Sequence, residues 1–162
     1  MASKPVAEVP AVTLVDNGVK VILTSEMTEV AVGDEVAVMI RGDSKGYALT
    51  AVDVKLAYDP DKFEFVELKN TDAAGNPGVL PDQLGPGVEL KPGLTRLVLG
   101  SGIGNEIPAG ADLVLGTLVL RVKSVEGDLA VRVLEDSIAA VKELRSNTLD
   151  RELGRVEFGK KG

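Results

Sequence analysis

Leu49-Thr50-Ala51-Val52-Asp53-Val54-Lys55-Leu56-Ala57-Tyr58-Asp59-Pro60-Asp61-Lys62-Phe63-Glu64-Phe65 is the stretch that decides the fold class of this chain. Val52, Val54, Leu56 and Tyr58 recur at every second position, with Ala51, Asp53, Lys55 and Ala57 between them. A period of two belongs to a β-strand, whose successive side chains point to opposite faces, so one row packs into a core and the other faces outward. Asp59-Pro60-Asp61 stops the strand, because proline fixes its own φ and lacks a backbone donor. Phe63-Glu64-Phe65-Val66-Glu67-Leu68 then resumes the alternation.

The same pattern of short Val, Leu and Ile runs cut by Gly, Pro, Asn or Asp extends in both directions, which is strand and turn punctuation. Upstream, Val19-Lys20-Val21-Ile22-Leu23 follows the turn Asp16-Asn17-Gly18, and Thr28-Glu29-Val30-Ala31-Val32 leads through Gly33-Asp34 into Glu35-Val36-Ala37-Val38-Met39-Ile40. Downstream, the Gly and Pro density of residues 70–92 predicts an irregular excursion with one short strand near Val88-Glu89-Leu90. Strands return at residues 94–99 and 113–123. In the second of these Leu118, Leu120 and Val122 take one face, and Thr117, Val119, Arg121 and Lys123 the other. Residues 128–134 read as another strand. Residues 137–144 fit two descriptions: Ile138, Val141 and Leu144 make a helical face, while the rhythm of Val131 and Val133 continues as an extended segment. Arg155-Val156-Glu157-Phe158 closes the set, and Gly159-Lys160-Lys161-Gly162 reads as a frayed tail. About nine strands with few helices predict an all-β antiparallel β-sandwich. It forms one domain over residues 1–162, with residues 1–17 as an N-terminal extension.

A chain of 162 residues, 44% hydrophobic and 27% charged, is long enough for one core. It contains no Cys, His or Trp, which removes disulfides, thiolate and imidazole metal sites, and Ser-His or Cys-His nucleophiles. The 25 acidic against 18 basic residues, a net charge of -7, argue against nucleic acid or an anionic membrane as partner, since both need a basic surface. No apolar run approaches the ~20 residues that span a bilayer. Met1-Ala2-Ser3-Lys4-Pro5 lacks the apolar core of an export signal, so the chain is expected to be cytosolic or to begin after such a signal.

Local motifs add little chemistry. A glycosidase needs paired carboxylates in a cleft, usually beside aromatic platforms, and the aromatic residues here are Tyr47, Tyr58, Phe63, Phe65 and Phe158. Asp59, Asp61, Asp72 and Asn76 offer hard oxygen ligands for calcium, but their spacing matches no EF-hand loop, and Asp before Pro is ordinary turn chemistry. Arg41-Gly42-Asp43 reads as a turn at the end of a strand. Gly100-Ser101-Gly102-Ile103-Gly104 lacks the Lys and the strand-to-helix setting of a phosphate loop and reads as a connection. A carbohydrate-binding module has the right strand count, but it would stack sugar rings on exposed Trp or Tyr.

Three stretches in order resemble the cohesin domain, the module that binds dockerins in cellulosome scaffolds and related surface proteins. They are Val30-Ala31-Val32-Gly33-Asp34-Glu35-Val36-Ala37-Val38, the stretch from Val52 to Phe65 quoted above, and Gly116-Thr117-Leu118-Val119-Leu120-Arg121-Val122-Lys123. Gly154-Arg155-Val156-Glu157-Phe158 also suits the family's last strand. The resemblance implies a nine-stranded jelly roll that binds without catalysing, through one sheet face that meets a helical dockerin partner. The calcium is expected on that partner, and no cofactor or metal on this chain. Asp53 falls where the family places a polar contact, and Ala51 where an Asn is frequent. Lys55 and Arg96, and Thr117, Val119 and Arg121 on the late strand, are candidate neighbours. Residues up to Asn17 and the loop of residues 70–92 depart from the family pattern. The resemblance implies an extracellular or cell-surface setting. A carbohydrate-binding module of a polysaccharide-degrading system, or a surface-layer or adhesin domain packing on its neighbours, are the alternatives.

Overall fold

The computed structural model describes residues 14–85, 87–101 and 107–161. Its strands are β1 (Lys20–Thr24), β2 (Glu29–Val30), β3 (Glu35–Asp43), β4 (Leu49–Tyr58), β5 (Phe63–Lys69), β6 (Asp82–Gln83), β7 (Val88–Lys91), β8 (Leu94–Gly100), β9 (Leu113–Val122), β10 (Leu129–Val133), β11 (Ile138–Val141) and β12 (Arg155–Lys160). One sheet has four strands in the order β1-β3-β9-β5. The other follows the path β2-β12-β10-β4-β8-β6, with β11 also paired to β4 and β7 to β8. Every pairing is antiparallel except β12 with β2. The result is the all-β, jelly-roll-like sandwich that the alternation predicts.

The core lies between the sheets. Val52, Val54, Leu56 and Tyr58 of β4 and Leu97 and Leu99 of β8 share one buried cluster with Val36, Val38 and Ile40 of β3 and Leu118, Leu120 and Val122 of β9. β4 is paired along both edges, by β8 on one side and by β10 and then β11 on the other. Lys55 falls between the last two strands. There Ser137, fully buried, accepts the Lys55 N–H on Oγ at 2.9 Å, and the Leu134 N–H donates to the Lys55 carbonyl at 2.9 Å. The gap between two strands is thus closed without leaving an orphaned backbone group.

Several boundaries differ from the sequence reading. Residues 137–144 resolve as strand over β11, held by pairing with β4. The expected strand around Val30 shrinks to Glu29–Val30, because Asp34 Oδ2 accepts the Ala31 N–H at 2.9 Å and folds residues 31–34 into a turn. Arg41-Gly42-Asp43 is not a turn. It continues β3, which pairs through Gly42 with both β1 and β9. The loop of residues 70–92 holds two short strands, β6 and β7, where one was expected. Of the expected tail, residues 159–161 are held by pairing through Lys160, the Lys161 N–H donates to Val30, and Lys161 Nζ reaches Asp34 at 3.2 Å; residue 162 lies outside the described residues. Within the expected N-terminal extension Val15 bridges to Asp150, and just after it the Gly18 N–H donates to Asp150 Oδ2 at 2.9 Å; residues 1–13 lie outside the described residues. So do Gly102, Ile103 and Gly104 of the glycine-rich connection.

Gly93 makes the β7–β8 turn with φ +86, and a Cβ there would stand 2.5 Å from the Tyr58 carbonyl oxygen, so both the conformation and the space require glycine. Truncating fully buried Leu120 to Ala is expected to cost about 2–5 kcal/mol in urea unfolding, because the packed sheets cannot collapse onto the void. The Ala31 N–H and then Lys161 hold the Asp34 carboxyl below its ordinary 3.8. The Asn76 side-chain amide, then backbone N–H groups, do the same for Asp72. Both depressed groups stabilise the fold above the unfolded value and lose that contribution as pH falls through the folded one. An NMR titration of the two carboxyl carbons is expected to give midpoints below 3.8 for both.

Candidate functional site

The outward row of β4 lies in the middle of the eight-stranded sheet, and the register places its neighbours. Asp53 stands opposite Ile138 of β11 and Val98 of β8. Ala51 stands opposite Ala140 and Gly100. Ile138 is 39% exposed, and Leu84, 60% exposed, leans over Gly100 with its Cδ1 3.6 Å from where a Cβ would sit. Leu84 thus covers Gly100, while Ala51 and Ala140, both half-buried, leave room for close approach beside exposed Ile138. An apolar patch edged by charged residues is the anatomy of a protein-docking surface.

Beside it runs a row of four charges. Lys55 and Arg96 stand directly opposite each other, a destabilising pair of like charges when left alone. Each is drawn off by a carboxylate: Lys55 Nζ by Asp136 at 2.9 Å, and Arg96 by Asp53 through Nε to Oδ1 at 2.9 Å and Nη2 to Oδ2 at 2.6 Å. The Asp53 carboxylate is the main cause that lifts the Arg96 guanidinium above its already high pKa. Ala51, Asp53, Lys55 and Arg96 thus form one group of the sequence candidates.

Thr117, Val119 and Arg121 do not join it. They lie on β9, in the four-stranded sheet across the core, so a single sheet face cannot present all seven residues. Thr117 is moreover fully buried rather than outward, with Oγ1 donating to the Thr71 carbonyl at 2.7 Å beneath the loop that follows β5. Val119 is half-buried, and Arg121 joins Glu35 at 2.7 Å and Glu64 at 2.8 Å across three strands. This second face also carries an open groove of about 830 Å³ between residues 24–27 and 72–74, floored by Ala37 and Met39.

The sequence reading missed Ile138, Val98 and Leu84. Val98 had a signal: β8 alternates cleanly in burial, yet apolar Leu94 and Val98 occupy its outward phase beside Arg96, which masks the period. Asp72 and Asn76 bond each other at 3.0 Å, and the Asp61 N–H donates to Asp59 Oδ1 at 2.9 Å, so these residues build turns. Tyr58 is buried, with its hydroxyl donating to Glu89, and burial pushes that hydroxyl's pKa up. Tyr47 packs partly buried against the core without a ring neighbour among the described residues, which withholds the platform a sugar would stack on. Among the described residues no helix is long and apolar enough to cross a membrane.

A family model described as the cohesin domain matches residues 8–155. No curated protein matches the chain. Among solved structures, the solution structure of CaCohA2 from Clostridium acetobutylicum aligns with a TM-score of 0.65 at 18% identity, covering 88% of this chain and 92% of that one. A cohesin module from a Clostridium perfringens family 33 glycoside hydrolase aligns with a TM-score of 0.63 at 14% identity, covering 89% and 98%. A chain of the type I cohesin–dockerin complex Coh-OlpA-Doc918 from Clostridium thermocellum aligns with a TM-score of 0.62 at 20% identity, covering 87% and 99%. At these identities the structures establish a shared fold.

The Asp53–Arg96 pair is exposed on its Arg96 side, and such pairs contribute about 0.2–1 kcal/mol. A double-mutant cycle on the two residues, read by urea unfolding, is accordingly expected to give a coupling of less than about 1 kcal/mol.

Proposed function

The chain belongs to the cohesin domain family, and from that premise we propose that the outer face of its eight-stranded sheet docks a dockerin module. The chain is a non-catalytic protein–protein interaction module. The observation that carries the choice of face is the combination described for β4 and its neighbours. Ala51 and Ala140 admit close approach, Ile138, Val98 and Leu84 supply apolar contact area, and the Asp53, Arg96, Lys55 and Asp136 charges fix orientation. The face is rigid because β4 is paired along both edges, so little conformational entropy is lost on docking. On the four-stranded face Arg121 instead bridges Glu35 and Glu64 at one end of the strands.

In this reading the partner brings helices and its own calcium, and the chain contributes a preformed surface and no cofactor. The described residues offer no group of three or more acidic side chains placed to hold a metal ion. Assembly of this kind joins separate chains, and the cohesin–dockerin complexes among the structural neighbours support work outside the cell or at its surface.

Isothermal titration against a panel of calcium-loaded recombinant dockerins tests the proposal. One-to-one binding to at least one dockerin is expected, with Ala51→Arg weakening it by about tenfold or more at an unchanged melting temperature. Arg121→Ala, on the opposite sheet, is expected to leave affinity within about twofold. No binding across the panel, or equal losses from both variants, would overturn the choice of function or of face respectively.

A further inference from the structure

A lone carboxylate at the centre of a sheet face offers a partner two acceptor oxygens. In this chain both oxygens of Asp53 are engaged by Arg96, through Nε at 2.9 Å and Nη2 at 2.6 Å. The two groups differ in depth: the Asp53 side chain is 17% exposed and that of Arg96 44%. A guanidinium carries five donors in a planar fork, and only the two facing Asp53 are used; Nη1 has no partner among the described residues. The next charge in the row is also cationic, since Lys55 stands opposite Arg96, with its own ammonium turned to Asp136. On the other side Arg96 faces Val88 of β7, which is neutral. An approaching surface therefore meets free N–H donors of Arg96 before the Asp53 carboxylate, with the Asp136 carboxylate, 52% exposed, beside Lys55.

We infer that Arg96 is the specificity-determining contact of this face, and that the partner it selects carries a carboxylate on the docking helix over the Arg96 guanidinium. The inference rests on the docking function proposed above. Asp53 is a positioning residue: its bidentate pair fixes the plane of the guanidinium and leaves the outer edge of the fork free for a second acceptor. A partner that instead offered a lysine or a hydroxyl to Asp53 would have to displace Arg96 from two charge-assisted hydrogen bonds.

The experiment uses a calcium-loaded dockerin that binds the wild-type chain, titrated calorimetrically into the single variants. Arg96→Gln removes the donor fork and bares Asp53 to the partner's carboxylate, and is expected to weaken binding by about tenfold or more. Asp53→Asn keeps one acceptor for Arg96 but loses the bidentate pair that fixes the guanidinium plane, and is expected to weaken binding measurably less than Arg96→Gln does. Arg96→Lys is expected to recover part of the loss, because it restores the charge but not the fork. Melting curves that match the wild type show that each variant is folded. The reverse pattern, with Asp53→Asn weak and Arg96→Gln intact, overturns the inference, as do equal losses in both or no loss in Arg96→Gln. These results leave the docking function standing. Failure of the wild-type chain to bind any dockerin removes that function and the inference with it.

Discussion

The register of β4 is the constraint on which the rest depends. Its ten residues place Val52, Val54, Leu56 and Tyr58 in the core, and a slip of one position would bury Asp53 and Lys55 in their place. Burying two charges away from their partners costs far more than a strand pairing returns, so only one register is open. That register is read by β8 along one edge and by β10 and β11 along the other. Ser137, set between β10 and β11, completes the hydrogen bonding of Lys55 where the ladder changes strands. The hydrophobic row thus fixes, by simple alternation, which side chains the outer face shows.

The outer face then follows a different logic from the core. Its charges lie close enough to interact, but most stand in high dielectric, where the attraction of a pair is largely offset by solvation and side-chain entropy. Their effect is to set directions. Asp53 orients Arg96, Asp136 turns Lys55 aside, and two cations that would repel across β4 and β8 are held apart. On the four-stranded sheet Arg121 does the same between Glu35 and Glu64. The two outer faces resemble each other in charge but differ in relief, since the four-stranded one carries the open groove over Ala37 and Met39.

Much of the fold was legible because it rests on local periodicity: the strands around Val52, Val36 and Leu118 are where the alternation places them. Sheet membership was not. Alternation assigns each residue to a face of its own strand, but Asp53 on β4 and Arg121 on β9 both face outward on opposite sides of the molecule. Thr117 was misread because it is covered by residues of the loop after β5, a long-range contact that no strand pattern contains. Residues 137–144 left both periods open, and pairing with β4 decided for the strand. The tail became ordered for a similar reason, since Gly159 and Lys160 find a parallel partner in the two residues of β2. Asp53 could be singled out from the family pattern, whereas its bond to Arg96 could not, because the two residues are diagonal neighbours on strands whose register only the folded chain defines.

The separation between the inward and outward rows of β4 also bears on how such a module can change over generations. Substitutions at Ala51, Asp53, Lys55 or Arg96 alter what the surface recognises while leaving the packed row of Val52, Val54, Leu56 and Tyr58 untouched. Because most loss of stability comes from disturbed cores and unsatisfied buried groups, these outward positions lie far from the threshold at which a domain stops folding. A lineage could therefore exchange partners through a few steps on two strands, each passing through a folded intermediate. Selection on pairing and selection on foldability would act on alternate letters of the same ten-residue word.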